Sequence, residues 1–202
     1  MELFYNEQYW TWFEYEYIFD SQFYINFFLP DVVNSLFLAL IIFLSYYFKL
    51  LNFRLFAFLL ITSFLPWLVN GVIFPINYMP DQYLYTNAAY LYRNFIPSFD
   101  TDLVIDQTYM VPITLYEFSS SITETGKFFA YLPMPFIHSV TSISIINRLI
   151  FTLMVIFLYN KRALTGYSLI FFLLFPSLIL YSNLALKEML IVFLMVLSLY
   201  SL

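Results

Sequence analysis

The stretch HSVTSISIINRLIFTLMVIFLY, residues 138–159, decides the fold. It carries one full charge, Arg148, in an otherwise apolar and small-polar run. A helix needs roughly 20 such residues to cross a hydrocarbon core of about 30 Å. Residues 138–159 are therefore read as a span. In front of it, Phe128 to Ile137 is also apolar but holds Pro133 and Pro135. Proline removes a backbone donor and breaks a helix, so this piece is read as shallow or re-entrant.

The rest of the chain repeats the pattern. It has 202 residues, 62% hydrophobic and 24% aromatic, with 10% charged. Soluble domains carry about 25% charged residues, so the expected solvent of most of the surface is lipid. A first span is expected at Val32 to Phe48 and a second at Leu55 to Ile76, bent at Pro66. A further span is expected at Gly166 to Leu186 with Pro176 inside, and another begins at Met189. The expected fold class is all-α, a polytopic transmembrane helix bundle with a long outer loop. The whole chain, residues 1–202, reads as one membrane domain and, since it stops inside an apolar run, as the front part of a longer protein or a truncated reading frame.

Charge orients the bundle. The short loops hold Lys49, Arg54, Lys161 and Arg162 and no acid. Basic residues in short loops mark the cytoplasmic face. All 13 acidic residues then fall on the other side. This expectation places the N-terminus, residues 77–127 and Lys187-Glu188 outside, in a multi-pass protein of the cell (inner, cytoplasmic) membrane. Residues 1–31 hold Glu2, Glu7, Glu14, Glu16, Asp20 and Asp31 among many aromatic residues and no Lys or Arg. They read as an outer segment along the interface, or as a poorly ordered tail. They show neither the basic start nor the small-residue cleavage site of a signal peptide. The net charge of −5 argues against a nucleic-acid partner, since phosphate backbones call for basic patches. With no cysteine, the compartment is not legible from disulfides.

Residues 77–127 form the long polar segment. Asp81 to Phe95 reads as a helix, with Leu84, Ala88, Leu91 and Phe95 at helical spacing after Pro80. Flanking Tyr83, Tyr85, Tyr90 and Tyr92 favour a helix lying flat in the headgroup plane. Asp81 is a candidate general base or metal ligand, or an N-cap. Asp100, Asp102 and Asp106 are a candidate Mg²⁺ or Mn²⁺ site with a substrate's phosphates, or simply solvated acids. Arg148 lies 11 residues before Tyr159, about 16 Å along a helix. A charge at that depth usually faces a bundle interior or a wet cavity, which suits a phosphate contact, with Asn147 beside it as a holder. The alternative is a shifted span from which Arg148 snorkels. Lys187-Glu188 reads as a tight turn with its own ion pair, or as a cation for an anionic substrate. His138, the single histidine, is a proton shuttle or a residue bonded to a carbonyl.

Three patterns carry a resemblance. Pro176-Ser177 with Leu178 to Ser182 runs into Ala185-Leu186-Lys187-Glu188. Pro133-x-Pro135-Phe136-x-His138-Ser139 is followed by Asn147-Arg148. Asp81-x-Tyr83 is followed by Ala88-Ala89 and Arg93. Over residues 77–202 the chain resembles polytopic polysaccharide-assembly proteins: O-antigen or capsule repeat-unit polymerases and GT-C-type membrane glycosyltransferases. The family often has an acidic pair in the first outer loop, where this chain has Asp81-Gln82. The resemblance implies transfer of sugars from polyprenyl-(di)phosphate carriers at the outer leaflet. Asp81 would take the acceptor proton, and Arg93, Arg148 and Lys187 would neutralise the leaving phosphate. The bilayer and the lipid-linked sugar would be the partners. The rival class is a transporter or a non-catalytic subunit of a membrane complex. The topology predicts that Ser119→Cys reacts with an impermeant thiol reagent on intact cells and Asn52→Cys does not. The reverse labelling would invert the orientation.

Overall fold

The structure is a computed structural model that describes residues 29–70, 73, 81–93, 120–137 and 139–201. Among them all regular structure is helical, as the sequence led us to expect. The elements are α1 (Leu29–Tyr47), α2 (Phe53–Thr62), α3 (Leu65–Val69), α4 (Asp81–Arg93) and α5 (Ser120–Tyr131). They continue as α6 (Val140–Asn160), α7 (Gly166–Leu174), α8 (Pro176–Tyr181) and α9 (Glu188–Ser201). Two of these, α1 and α6, are long and apolar enough to cross a membrane.

Local chemistry sets the boundaries. Ser139 caps α6: its Oγ accepts from Ser142 N, and Ser142 Oγ accepts from Ser139 N. This is a reciprocal capping box. Asn52 caps α2 by accepting from Leu55 N at 2.8 Å. Pro66 separates α2 from α3, because its ring would clash with the carbonyl of Thr62 in a continuous helix. Pro176 separates α7 from α8 in the same way, and Phe175 before it is extended at φ −65°, ψ 118°. The expected span Gly166 to Leu186 is thus corrected to two short helices and a non-helical turn. The second expected span is likewise two short helices, ending at Val69 among the described residues.

The helices α1 and α6 end alike. Leu50 N bonds Ser45 O and Lys49 N bonds Tyr46 O; Ala163 N bonds Leu158 O and Arg162 N bonds Tyr159 O. These are Schellman closures. Their left-handed positions hold Lys49 (φ 61°) and Arg162 (φ 57°) where glycine is the unstrained choice.

Helix α6 is the axis of the bundle, buried along nearly its whole length with Leu153 as an exposed exception. Helix α1 lies parallel to it. At one end Ser139 Oγ donates to Asp31 Oδ2 (2.7 Å), and Asn34 exchanges two hydrogen bonds with the backbone of Phe136. At the other end Asn160 Nδ2 donates to Leu50 O and Asn52 Nδ2 to Tyr159 Oη. The two basic turns therefore sit together. Asp31 is corrected from an interfacial acid to a buried residue in the first turn of α1.

Helix α1 is polar inward and apolar outward. Its buried face is Asp31, Asn34, Ser35, Leu38, Ile42 and Ser45. Leu36, Leu40, Phe43 and Leu44 are exposed. A helix in water shows the opposite arrangement. Exposed apolar side chains continue over Ile170, Phe171 and Leu174 of α7 and Ile191, Leu194 and Met195 of α9.

The 77–127 segment differs most from expectation. It is not a loop up to Lys127: α5 begins at Ser120 and runs to Tyr131. Helix α4 is described as far as Arg93 and packs against α5. Its buried residues include Gln82, Tyr85, Thr86, Ala88 and Ala89. Of the expected apolar stripe, Ala88 is buried, Phe95 lies outside the described residues, and so do the side chains of Leu84 and Leu91. The pair closes on small residues. A Cβ at Gly126 would stand 2.4 Å from Ala88 Cβ. Gly126→Ala is accordingly expected to force the helices apart and destabilise the fold by about 1–3 kcal/mol. Thermal unfolding of purified protein measures this, with the exposed Tyr131→Ala as a control that should change little.

Candidate functional site

The segment Ser182 to Lys187, between α8 and α9, has no regular structure and yet is largely buried. Buried backbone groups need partners. Here side-chain amides supply them. Asn147 Nδ2 donates to Leu184 O and Leu186 O, both at 2.6 Å. Asn70 Nδ2 reaches Asn183 O (2.9 Å) and Ser144 Oγ (3.0 Å). Gln82 Oε1 accepts from Ala185 N at 2.7 Å. Each amide comes from a different part of the chain: the end of α3, the start of α4 and the middle of α6.

This turn does not lie at the end of the bundle. Asn147 is seven residues inside α6, about 10 Å from its start. From there α9 runs back along α6, and Tyr200 meets Phe157 edge to face at 5.5 Å. The pair α7–α8 and α9 thus enters from the end that holds the two basic turns, reverses at the level of Asn147, and returns. Lys187 and Glu188 belong to that interior reversal. The expected outer turn with its own ion pair is corrected, since the one ion pair among the described residues is Lys127–Glu124.

Arg148 is next to this turn and is 1% exposed. It does not snorkel. Its Nη1 donates to Ser182 Oγ at 3.0 Å, and its Nη2 to Thr62 Oγ1 of α2. Its guanidinium stands 4.7 Å from the Phe151 ring centroid, and Phe151 stacks in turn on Phe172 of α7. These partners are neutral. Among the described residues no carboxylate pairs with it, and its Nε has no partner. Asn147 does not hold Arg148, as the sequence suggested; its donors go to the turn.

Further polar atoms around the turn are unpaired: Asn147 Oδ1, Asn183 Oδ1 and Glu188 Oε2, with Thr152 Oγ1 four residues beyond Arg148. The amide orientations are fixed by their partners, because Nδ2 of Asn183 faces Ile179 O and Nδ2 of Asn147 faces two carbonyls. The free ends are therefore oxygens.

The other candidates distribute as follows. Asp81 is the first residue of α4, adjacent to Gln82 and hence to the turn; its side chain lies outside the described residues. Arg93 donates to Ala130 O (2.8 Å) and Met134 O (3.0 Å), closing the end of α5, and two of its donors are engaged there. Asp100, Asp102, Asp106 and His138 lie outside the described residues. Among the described residues no three His, Cys, Asp or Glu side chains gather as a metal site. Sequence reasoning missed Thr62, Asn70, Gln82, Ser182 and Asn183. The available signal was an isolated amide at the end of an apolar run, as with Asn70, or inside one, as with Asn183.

Comparison with protein-family models, with curated proteins and with solved structures finds no match.

The cage generates a contrast. Asn147→Leu leaves two buried carbonyls without donors and is expected to destabilise by about 2–5 kcal/mol. Thr152→Val removes an unpaired hydroxyl with little change of shape and should be neutral within about 1 kcal/mol, or stabilising. Chemical denaturation of the two variants beside the parent protein checks the order; equal losses would contradict it.

Proposed function

We propose that the chain is a multi-pass membrane protein of cell-surface polysaccharide assembly, working on polyprenyl-(di)phosphate-linked sugars. The observation that carries this reading is Arg148, a buried guanidinium bonded by neutral groups with one donor unused. A charge at such depth is costly, about 2.5–3.5 kcal/mol on insertion scales. A leucine would avoid that cost. A phosphate is the complementary partner, because it accepts the planar fork in bidentate fashion. A lipid-linked sugar brings such a phosphate together with a hydrocarbon tail.

Three further features support the reading. The outward faces of α1, α7 and α9 are apolar. The basic turns after α1 and α6 lie side by side, which suits a cytoplasmic end. The start of α4 is held against the turn by Gln82, so Asp81 is near enough in sequence to serve as base on an acceptor hydroxyl. In this reading Arg148 receives the phosphate, Lys187 adds charge at the same turn, and opening of the packed interior precedes binding.

A transporter is the second reading. It is favoured by the interior reversal at Ser182–Lys187, since broken helices at mid-depth form substrate sites in transporters.

Arg148→Leu is expected to insert normally and abolish surface glycan in the host cell. Arg148→Lys keeps the charge without the fork and should lower assembly at least tenfold. Glycan extraction together with membrane quantification reads both. Full assembly with Arg148→Leu would overturn the proposal. Loss of lipid-linked intermediate export with intact polymerisation would move the reading to transport.

A further inference from the structure

We propose that the turn between α8 and α9 binds a small monovalent cation of sodium size, with Asn147 Oδ1, Asn183 Oδ1 and Glu188 Oε2 as its side-chain ligands. All three oxygens are buried and without a donor. Asn183 lies in the turn, Glu188 opens the helix that follows it, and Asn147 reaches it from α6. Asn147 grips Leu184 O and Leu186 O, Asn183 directly precedes Leu184, and Glu188 follows Leu186 by two residues. Both amides are locked with their nitrogens turned away, so rotation does not relieve the vacancy.

An acceptor-only set takes either a hydrogen-bond donor or a cation, and the carboxylate among the three favours the cation. The cations of the chain do not supply it. Arg148 is directed to Ser182 and Thr62, and Lys187 makes no ion pair with Glu188. The set has one carboxylate oxygen and two neutral amide oxygens. That is too little negative charge for Mg²⁺ or Ca²⁺, which draw on several carboxylates or phosphates. A monovalent ion matches it. Non-helical backbone beside half-helix ends is also the setting in which membrane proteins hold Na⁺.

Charge balance ties this site to Arg148. Arg148, Lys187 and Glu188 together carry one positive charge, and a bound cation adds to that excess. An anion at Arg148 would remove that excess. Each ligand should therefore raise the affinity for the other, by the same factor in both directions. The coupling rests on the phosphate reading above, whereas cation binding itself does not.

The test uses the purified protein without any lipid-linked substrate. Equilibrium dialysis with ²²Na⁺ should show saturable binding of about one ion per chain, displaced by unlabelled Na⁺ and unaffected by choline. The unfolding midpoint should be higher in NaCl than in choline chloride at equal ionic strength. Glu188→Gln should reduce Na⁺ affinity at least tenfold while circular dichroism stays that of the parent. Asn183→Ala carries the same expectation if Glu188→Gln does not fold. Absence of saturable Na⁺ binding by the parent chain would overturn the proposal and leave the three oxygens to water. Parent-like binding by either folded variant would overturn it as well. Because no phosphate is present, failure of the phosphate reading leaves these results unaffected.

Discussion

Everything in this bundle is arranged around a length of backbone that is buried without being helical. Ser182 to Lys187 could not lie there unless its peptide groups were satisfied. Asn70, Gln82 and Asn147 satisfy them from three directions. The demand explains otherwise puzzling residues. An amide closes α3, a glutamine sits in the first turn of α4, and an asparagine occupies the middle of the most buried helix. It also joins parts of the chain far apart in sequence, since the turn meets residues as distant as Asn70.

Arg148 adds a second constraint of opposite kind. The cage is a set of dipoles that match; the guanidinium is a charge that no carboxylate matches among the described residues. Hydroxyls of Thr62 and Ser182 and the face of Phe151 reduce its desolvation cost without cancelling its charge. Replacing a buried charge by an apolar residue of similar volume is often neutral or stabilising. Retaining an unmatched one makes sense where a mobile counter-charge arrives. On the phosphate reading proposed above, the fold separates two tasks, with amides holding the reversal in place and Arg148 kept for the ligand.

The sequence announced the long helices and little of what lies between them. The spans read at residues 32–48 and 138–159 match α1 and α6 within three residues at either end, because uninterrupted apolar length is a strong signal. Pro66 and Pro176 were legible as disturbances. That Pro176 would end one helix and let the chain turn back inside the bundle was not legible, since hydropathy carries no depth. The burial of Arg148 was one of two readings its distance to the basic turn allowed, the other being a snorkelling boundary residue. Its partners were not, because Thr62 and Ser182 are ordinary small polar residues in apolar runs. The pairing of α4 with α5 escaped notice because residues up to Lys127 read as a loop and Phe128 onward as a shallow or re-entrant piece, until Gly126 is seen against Ala88.

The parallel packing of α1 on α6 has a consequence in time. The polar groups at the start of α1 find their partners only when residues 136–139 exist: Asn34 bonds Phe136 across 102 positions of sequence. At synthesis rates of about 5–20 residues per second that interval is roughly 5–20 s. On the membrane reading proposed above, α1 spends those seconds with Asp31 and Asn34 lacking the bonds they make to Ser139 and Phe136. A helix in that condition is poorly suited to release into lipid on its own. It would be retained beside the insertion machinery, or shielded by a chaperone, until α6 emerges to receive it. The order of the chain thus leaves α1 incomplete until α6 has been made.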